Sequence, residues 1–166
     1  MQKPTAYSKL NSAYTFIEIL VALTIISLIF GIGYVSFRDF SRRQALNGTA
    51  RTLVGNLRLA QEQAISGRKP SDIFCNPPQL LNGYNFRVVS AQNYVLEASC
   101  SGGNVQTKSV TISSDISLSV PVPNPILFKS VAQGTNISGA SASVTLTQAG
   151  TGNTRAITIS AAGEIK

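Results

Sequence analysis

One carboxylate stands near the start of an otherwise uncharged apolar run, and its chemistry needs an explanation first. The run AYTFIEILVALTIISLIFGIGYVSF extends from Ala13 to Phe37, and Glu18 is its only charged residue. An unpaired acid in lipid costs about 3 kcal/mol on insertion scales, so it persists mainly where it has a partner. We therefore expect Glu18 to meet a cation. The alternative is an acid that reaches the interface between lipid and water.

Catalytic and metal-binding chemistry has little support in the rest of the sequence. The chain of 166 residues has no histidine, and its few acidic residues are scattered singly. Histidine is the most frequent general base and a frequent zinc ligand, and no pair of nucleophile and base stands out here. We predict no catalytic residue, no metal site and no cofactor. The alternative is a membrane-anchored enzyme.

The apolar run itself predicts a transmembrane helix over residues 14–37. No charged residue occurs from Ile19 to Phe37, and about 20 apolar residues of helix cross a bilayer core. Aromatic residues stand at both ends, where they suit the membrane interface. The alternative, a cleaved secretory signal, has a shorter core of about 7–15 residues followed by a small-residue cleavage site.

A second helical pattern follows the apolar run and predicts an amphipathic continuation over residues 38–69. Apolar residues recur there at spacings of three and four, which places them on one side of a helix. Gly67 and then Pro70 are signals that end the helix. The predicted apolar stripe consists of Leu46, Ala50, Leu53, Val54, Leu57, Ala60, Ala64 and Ile65.

The positive charge of the chain is concentrated in this second helical segment. Seven basic and two acidic residues lie between Arg38 and Lys69, whereas residues 70–166 hold five basic and four acidic residues. The basic residues lie largely off the apolar stripe. This face is predicted to contact acidic neighbours, phospholipid head groups or DNA, and the alternative is a face that meets only water. The candidate contacts are Arg42, Arg43, Arg51 and Arg58.

From Pro70 onward the period of the pattern changes to two, which predicts a β-domain over residues 70–166. Short alternating runs are separated by Gly, Asn, Pro and Ser. We predict one meandering antiparallel sheet, with one face covering the apolar stripe, and hence an α+β fold. The runs are residues 84–89, 93–98, 106–112, 116–120, 126–131, 142–148 and 155–160.

Two cysteines, Cys75 and Cys100, both fall in the predicted β-domain. An exported domain lies in an oxidising compartment, where such a pair usually joins. We predict a disulfide bond between them, and the alternative is two free buried thiols.

The N-terminal stretch YTFIEILVALTII resembles the start of type IV pilins and of the pseudopilins of type II secretion. Residues 53–70, LVGNLRLAQEQAISGRKP, look like the helix end of the minor pseudopilins GspH and their relatives FimT. Residues 126–134 and 155–166 look like the late strands of that subclass. The resemblance implies a type IV pilin-like fold, in which a long N-terminal transmembrane-plus-amphipathic helix packs on the C-terminal antiparallel β-domain.

The same resemblance implies how the N-terminus is processed and used. Residues 1–13 would be a leader that a prepilin peptidase removes between Ala13 and Tyr14, although Ala13 stands where the family usually has glycine. Tyr14 would become the N-methylated terminus. Thr15 and Glu18 match the assembly positions of the family, in which the acid meets the new α-amino group of a neighbouring subunit.

The function implied is that of a minor pilin or pseudopilin, a structural subunit of a type II secretion pseudopilus or a type IV pilus that helps to initiate or cap the filament for protein secretion. Its partners would be other pilins or pseudopilins, the prepilin peptidase and the bacterial inner membrane. The chain would cross that membrane once, with a periplasmic or extracellular C-terminal domain, before it joins the filament. The alternatives are a FimT-like subunit that binds DNA for natural transformation, and a major pilin.

Overall fold

The computed structural model describes residues 14–166, without the side chains of residues 32–36. The predicted leader, and with it Ala13, lies outside the described residues. Two compact units are present, one ending at Phe40 and the other comprising Ser41–Lys166. One helix, α1 (Phe16–Ile65), contributes residues to both units.

The helix begins with a local cap at the residues that were predicted to serve assembly. The backbone N–H of Glu18 donates to Thr15 Oγ1 at 3.3 Å and to the Thr15 carbonyl at 3.1 Å. A threonine followed three residues later by glutamate is the sequence pattern of a capping box. The carboxylate also lies in the first turn, where the positive end of the helix dipole favours an anion.

The first unit presents apolar side chains to its surroundings along the start of α1. Phe16 is 77% exposed and Phe30 is 74% exposed, and the large apolar residues between them are 43–69% exposed. Among the residues that the structure describes, no helix is both long and apolar enough to cross a membrane.

The end of α1 follows the predicted stop signal. Gly67 adopts a left-handed conformation with φ 64°, which costs glycine little because it has no Cβ. Its N–H donates to the Ala64 carbonyl at 3.2 Å, and the N–H of Arg68 donates to the Gln63 carbonyl at 3.1 Å. These two bonds form a Schellman motif, which satisfies carbonyl groups that the helix leaves free.

Seven strands follow, one for each predicted run, but they form two sheets and not the single meander that was predicted. The first sheet has the order β3-β2-β1-β5 and the second the order β4-β6-β7. Alternation specifies which face of a strand is buried, but not which strands pair. The strands are β1 (Leu81–Ser90), β2 (Asn93–Cys100), β3 (Gly103–Thr111), β4 (Ile116–Leu118), β5 (Ile126–Lys129), β6 (Ser141–Gln148) and β7 (Thr154–Ser160).

The core of the second unit lies between these sheets and the later part of α1. Leu53, Leu57 and Ala60 are at most 1% exposed and belong to one cluster with residues of both sheets. The predicted apolar stripe is therefore confirmed, except at its end, where Ile65 is half exposed. Ile65 is the last residue of α1 and lies beyond the cover of the sheets.

The predicted disulfide bond is present between Cys75 and Cys100, whose Cα atoms are 5.3 Å apart. It joins the segment after α1 to the end of β2. Both cysteines are buried.

Candidate functional site

A row of exposed basic residues follows one face of α1 in the second unit. Arg43, Asn47, Arg51 and Arg58 are separated by four, four and seven residues, spacings that return to the same face of a helix. The three arginines are exposed, while Leu46, Leu53 and Leu57 on the neighbouring face are buried. The helix therefore divides its surface between an apolar face and a basic face.

Strand β7 supplies the other wall of this region. Arg155, at the start of β7, donates from Nε to Asn47 Oδ1 at 3.0 Å. The two residues border a groove of about 480 Å³, and both also line an adjoining space of about 270 Å³. We call the two spaces together the arginine groove. Its lining consists of Arg43, Leu46, Asn47, Ala50, Arg51, Val54, Gly55, Arg58, Asn153, Thr154 and Arg155.

The floor of the arginine groove is small and apolar. Ala50, Val54 and Gly55 form the uncharged part of its lining along the helix. A Cβ atom placed on Gly55 would meet nothing within 4 Å. The glycine thus leaves open space at the border of the groove.

The charges of the groove are of one sign. Four arginines line it, and none of the described residues in its lining is acidic. In the part of the chain that the structure describes, the ion pairs join Arg87 to Glu97 and Glu164 to Lys166, so the groove arginines have no acidic partner there. A planar guanidinium presents several donors that suit a carboxylate or a phosphate, so the groove favours an anionic ligand.

The structure brings together three of the four predicted contact residues. Arg43, Arg51 and Arg58 line the groove, whereas Arg42 is half-buried and lies near Gly150 instead. Asn47 and Arg155 were not predicted, because they lie 108 residues apart in sequence. The sequence held one signal for the missed residue Arg155. Because side chains alternate along a strand, Arg155 lies on the same face of β7 as Ile157 and Ile159.

The opposite side of the same helical segment is held to the first sheet by buried polar groups. Asn56 Nδ2 donates to the Tyr94 hydroxyl at 2.6 Å, and Lys108 Nζ donates to Asn56 Oδ1 at 2.8 Å. Burial raises the pKa of Tyr94, and the hydrogen bond from Asn56 opposes part of that increase. These contacts fix the helix on the sheet and leave the arginine groove on the free side.

The N-terminal site residues lie in the first unit. Tyr14, Thr15 and Glu18 are all exposed at the start of α1. Thr15 and Glu18 contact each other through the helix cap. Within residues 14–166 as described, no cluster of His, Cys, Asp or Glu side chains has the arrangement needed to hold a metal ion.

An α+β chain whose helix, from Ser41 onward, packs on two antiparallel sheets has the arrangement expected of a pilin-like protein. Residues 49–163, more than half of the chain, match the family described as type II transport protein GspH. The chain therefore belongs to the GspH family, and the predicted resemblance to the GspH and FimT pseudopilins is confirmed at the level of family. No curated protein and no solved structure shows a significant similarity to the chain.

Proposed function

We propose that the protein is a minor pseudopilin, a structural subunit that helps to initiate or cap the filament of a type II secretion system. The observation that carries this proposal is the match of residues 49–163 to the GspH family. The pilin-like stretch YTFIEILVALTII, residues 14–26, precedes the matched region. Two separate parts of the chain therefore support the same function.

The first unit is proposed to be the membrane and filament segment. Residues 19–37 carry no charge, and the apolar side chains from Phe16 to Phe30 are exposed in the single chain. Burial of apolar surface is the main favourable term in insertion and in association. The chain would cross the bacterial inner membrane once, with its second unit in the periplasm, and later exchange lipid for neighbouring subunits.

Processing and assembly are proposed to meet at the start of α1. A prepilin peptidase would cut after Ala13, and Tyr14 would carry the new methylated amine. Glu18 would pair with that amine on a neighbouring subunit. Opposite charges about 4 Å apart attract by about 4 kcal/mol at an effective dielectric of 20, before desolvation is subtracted. The pair would thus specify subunit register more than it would add stability.

The proposal is tested by incorporation of variants into the filament. Glu18→Gln removes the charge but keeps the size of the side chain and one acceptor oxygen. We expect it to be cleaved and inserted normally and to be absent from purified filaments. Glu62→Gln is the matched control, because Glu62 is an exposed acid on the same helix outside the apolar run. Normal incorporation of Glu18→Gln would contradict the assembly role.

A second candidate function is DNA binding by a FimT-like minor pilin, and the arginine groove supports it. Phosphates are bound by clustered arginines on an exposed surface. The terminal residues do not add to that cluster, because Glu164 pairs with Lys166 at 3.2 Å. Retention of a double-stranded DNA probe by the purified protein, and its loss in Arg51→Gln/Arg58→Gln, would favour this function.

A further inference from the structure

We propose that the arginine groove and the adjacent edge of β7 together bind an extended acidic segment of another protein. The segment would add a strand to β7 and place its carboxylates against Arg51 and Arg58. The proposal rests on the proposed function only in that the partner would be a protein that meets the secretion filament.

The first support is an open sheet edge at the start of β7. Thr158 exchanges backbone hydrogen bonds with Lys166 on the side of β7 that faces away from β6. Because orientation alternates along an antiparallel strand, Thr154 and Ala156 direct their N–H and C=O groups to that same side. The terminal residues cover Thr158 and Ser160. In residues 14–166 as described, nothing pairs with the outward groups of Thr154 and Ala156.

The second support is that this open edge borders the groove. Asn47 contacts Arg155 at one end, and Gln61 Nε2 donates to the Gly163 carbonyl at 2.9 Å further along. The helix and β7 therefore run in the same direction on either side of the groove. A strand added to β7 would lie about 4.8 Å from it, beside Arg155.

The third support is the match between the charges and an extended chain. Arg51 and Arg58 are seven residues apart, which is about 10.5 Å along a helix. Alternate side chains of a strand leave the same face about 7 Å apart, and long arginine side chains bridge the difference. A strand with acidic residues at alternate positions would therefore meet several guanidinium groups at once.

The open edge is what favours a polypeptide over other anions. When a peptide adds a strand to a sheet edge, its backbone satisfies the unpaired donors and acceptors of the edge, and its side chains give specificity. A DNA phosphate or a lipid head group needs the arginines but has no regular series of N–H and C=O groups for the edge. This chain is itself basic, with net charge +7, so charge complementarity indicates a different protein.

The test measures peptide binding to the full-length protein in neutral detergent micelles. The probe is a fluorescent peptide of about six residues, the usual length of a strand, that alternates aspartate and valine. The matched peptide has asparagine in place of aspartate. We expect fluorescence anisotropy to show binding of the acidic peptide and little binding of the neutral one. Equal binding of the two peptides, or none of either, would overturn the proposal.

Charge variants locate the binding. Arg51→Gln/Arg58→Gln should weaken binding of the acidic peptide by about tenfold or more, because truncation of charged partners at an interface is commonly that large. Arg68→Gln/Lys69→Gln is the matched control, since it removes the same charge from exposed residues outside the groove. Equal weakening by both pairs would reduce the effect to net charge and would overturn the assignment.

Two further variants separate strand addition from binding of any anion. Ala156→Pro removes an outward N–H at an edge strand, where proline is tolerated. Gly55→Leu adds bulk at the border of the groove, at a position with open space, so it should not disturb folding. Both should abolish peptide binding. Continued binding of the acidic peptide to both variants would contradict strand addition. A second contrary result would be that a DNA duplex or phosphatidylglycerol vesicles displace the peptide, that this displacement needs Arg51 and Arg58, and that Ala156→Pro has no effect on it. The groove would then be a phosphate site.

Folding and filament entry are checked separately. Circular dichroism should give wild-type spectra and unfolding midpoints for the Gly55→Leu and arginine variants. Peptide binding by the purified Glu18→Gln protein should equal that of the wild type. A wild-type protein that binds the peptide but never enters filaments would contradict the proposed function alone. A wild-type filament subunit that binds no peptide would contradict this inference alone.

Discussion

The two parts of helix α1 share one secondary structure but have opposite surroundings. From Phe16 to Phe30 the large apolar side chains are exposed, with Leu23 55% exposed, whereas after Ser41 the residue Leu57 is completely buried. The later part has its own cover, the two sheets, and so needs apolar residues on one face only. The earlier part has no cover within its own unit, which is consistent with its apolar composition on every face. The distribution of apolar residues around the helix thus differs between the part that the sheets cover and the part that they do not cover.

The largest expected effect comes from truncating one leucine in each part. Leu57→Ala should lower the free energy of unfolding of the second unit by about 2–5 kcal/mol, because it leaves a cavity in the core. Leu23→Ala should leave that unfolding unchanged. Near-ultraviolet circular dichroism in detergent measures it, since Tyr84 and Tyr94 are buried in the second unit. Equal destabilisation by the two variants would break the comparison.

Loss of the disulfide bond should be the next largest effect, and it should again be confined to the second unit. The bond closes a loop with a sequence separation of 25 residues. In the chain-entropy model, such a loop lowers the entropy of the unfolded chain and so raises the free energy of unfolding by about 3 kcal/mol. Cys75→Ser/Cys100→Ser should therefore unfold at lower denaturant concentration, whereas the first unit should be unaffected. Thiol labelling of the wild type without reductant should find no free cysteine. Two labelled thiols per folded chain would refute the pairing.

A third test compares neighbours within the covered part of the helix. Asn56→Ala removes both polar contacts that join α1 to the first sheet and leaves the buried Tyr94 hydroxyl without its donor. This should cost about 1–3 kcal/mol of stability. Arg58→Ala, on the groove face, should change stability by no more than about 0.5 kcal/mol. Chemical denaturation of both variants measures the difference, and a larger loss for Arg58→Ala would mean that the groove arginines hold the fold.

Local signals in the sequence predicted most of the elements, and pairing over long distances accounts for what was missed. The end of α1 was predicted from Gly67, and every strand was predicted from its alternation, because both signals act through neighbouring residues. The division into two sheets was not predicted, since alternation at β4 or β5 does not say which strand lies beside it. The arginines on the helix side of the groove were predicted, but its β7 side was not. Arg51 and Arg58 follow from helical spacing, but the contact of Arg155 with Asn47 depends on the packing of β7.

The smallest expected effect is a change in the stability of the second unit that appears only in alkaline solution. Burial raises the pKa of Tyr94 above its usual value near 10. The unfolded chain therefore loses this proton first as pH rises, so the stabilisation is complete below about pH 10 and declines as the pH passes through the folded pKa. Burial also raises the pKa of Tyr84, and nearby Arg68 opposes that increase. Tyr94→Phe should make the loss of stability above pH 10 shallower. Unfolding midpoints measured from pH 8 upward decide it, and identical profiles for wild type and Tyr94→Phe would mean that this hydroxyl does not titrate with unfolding.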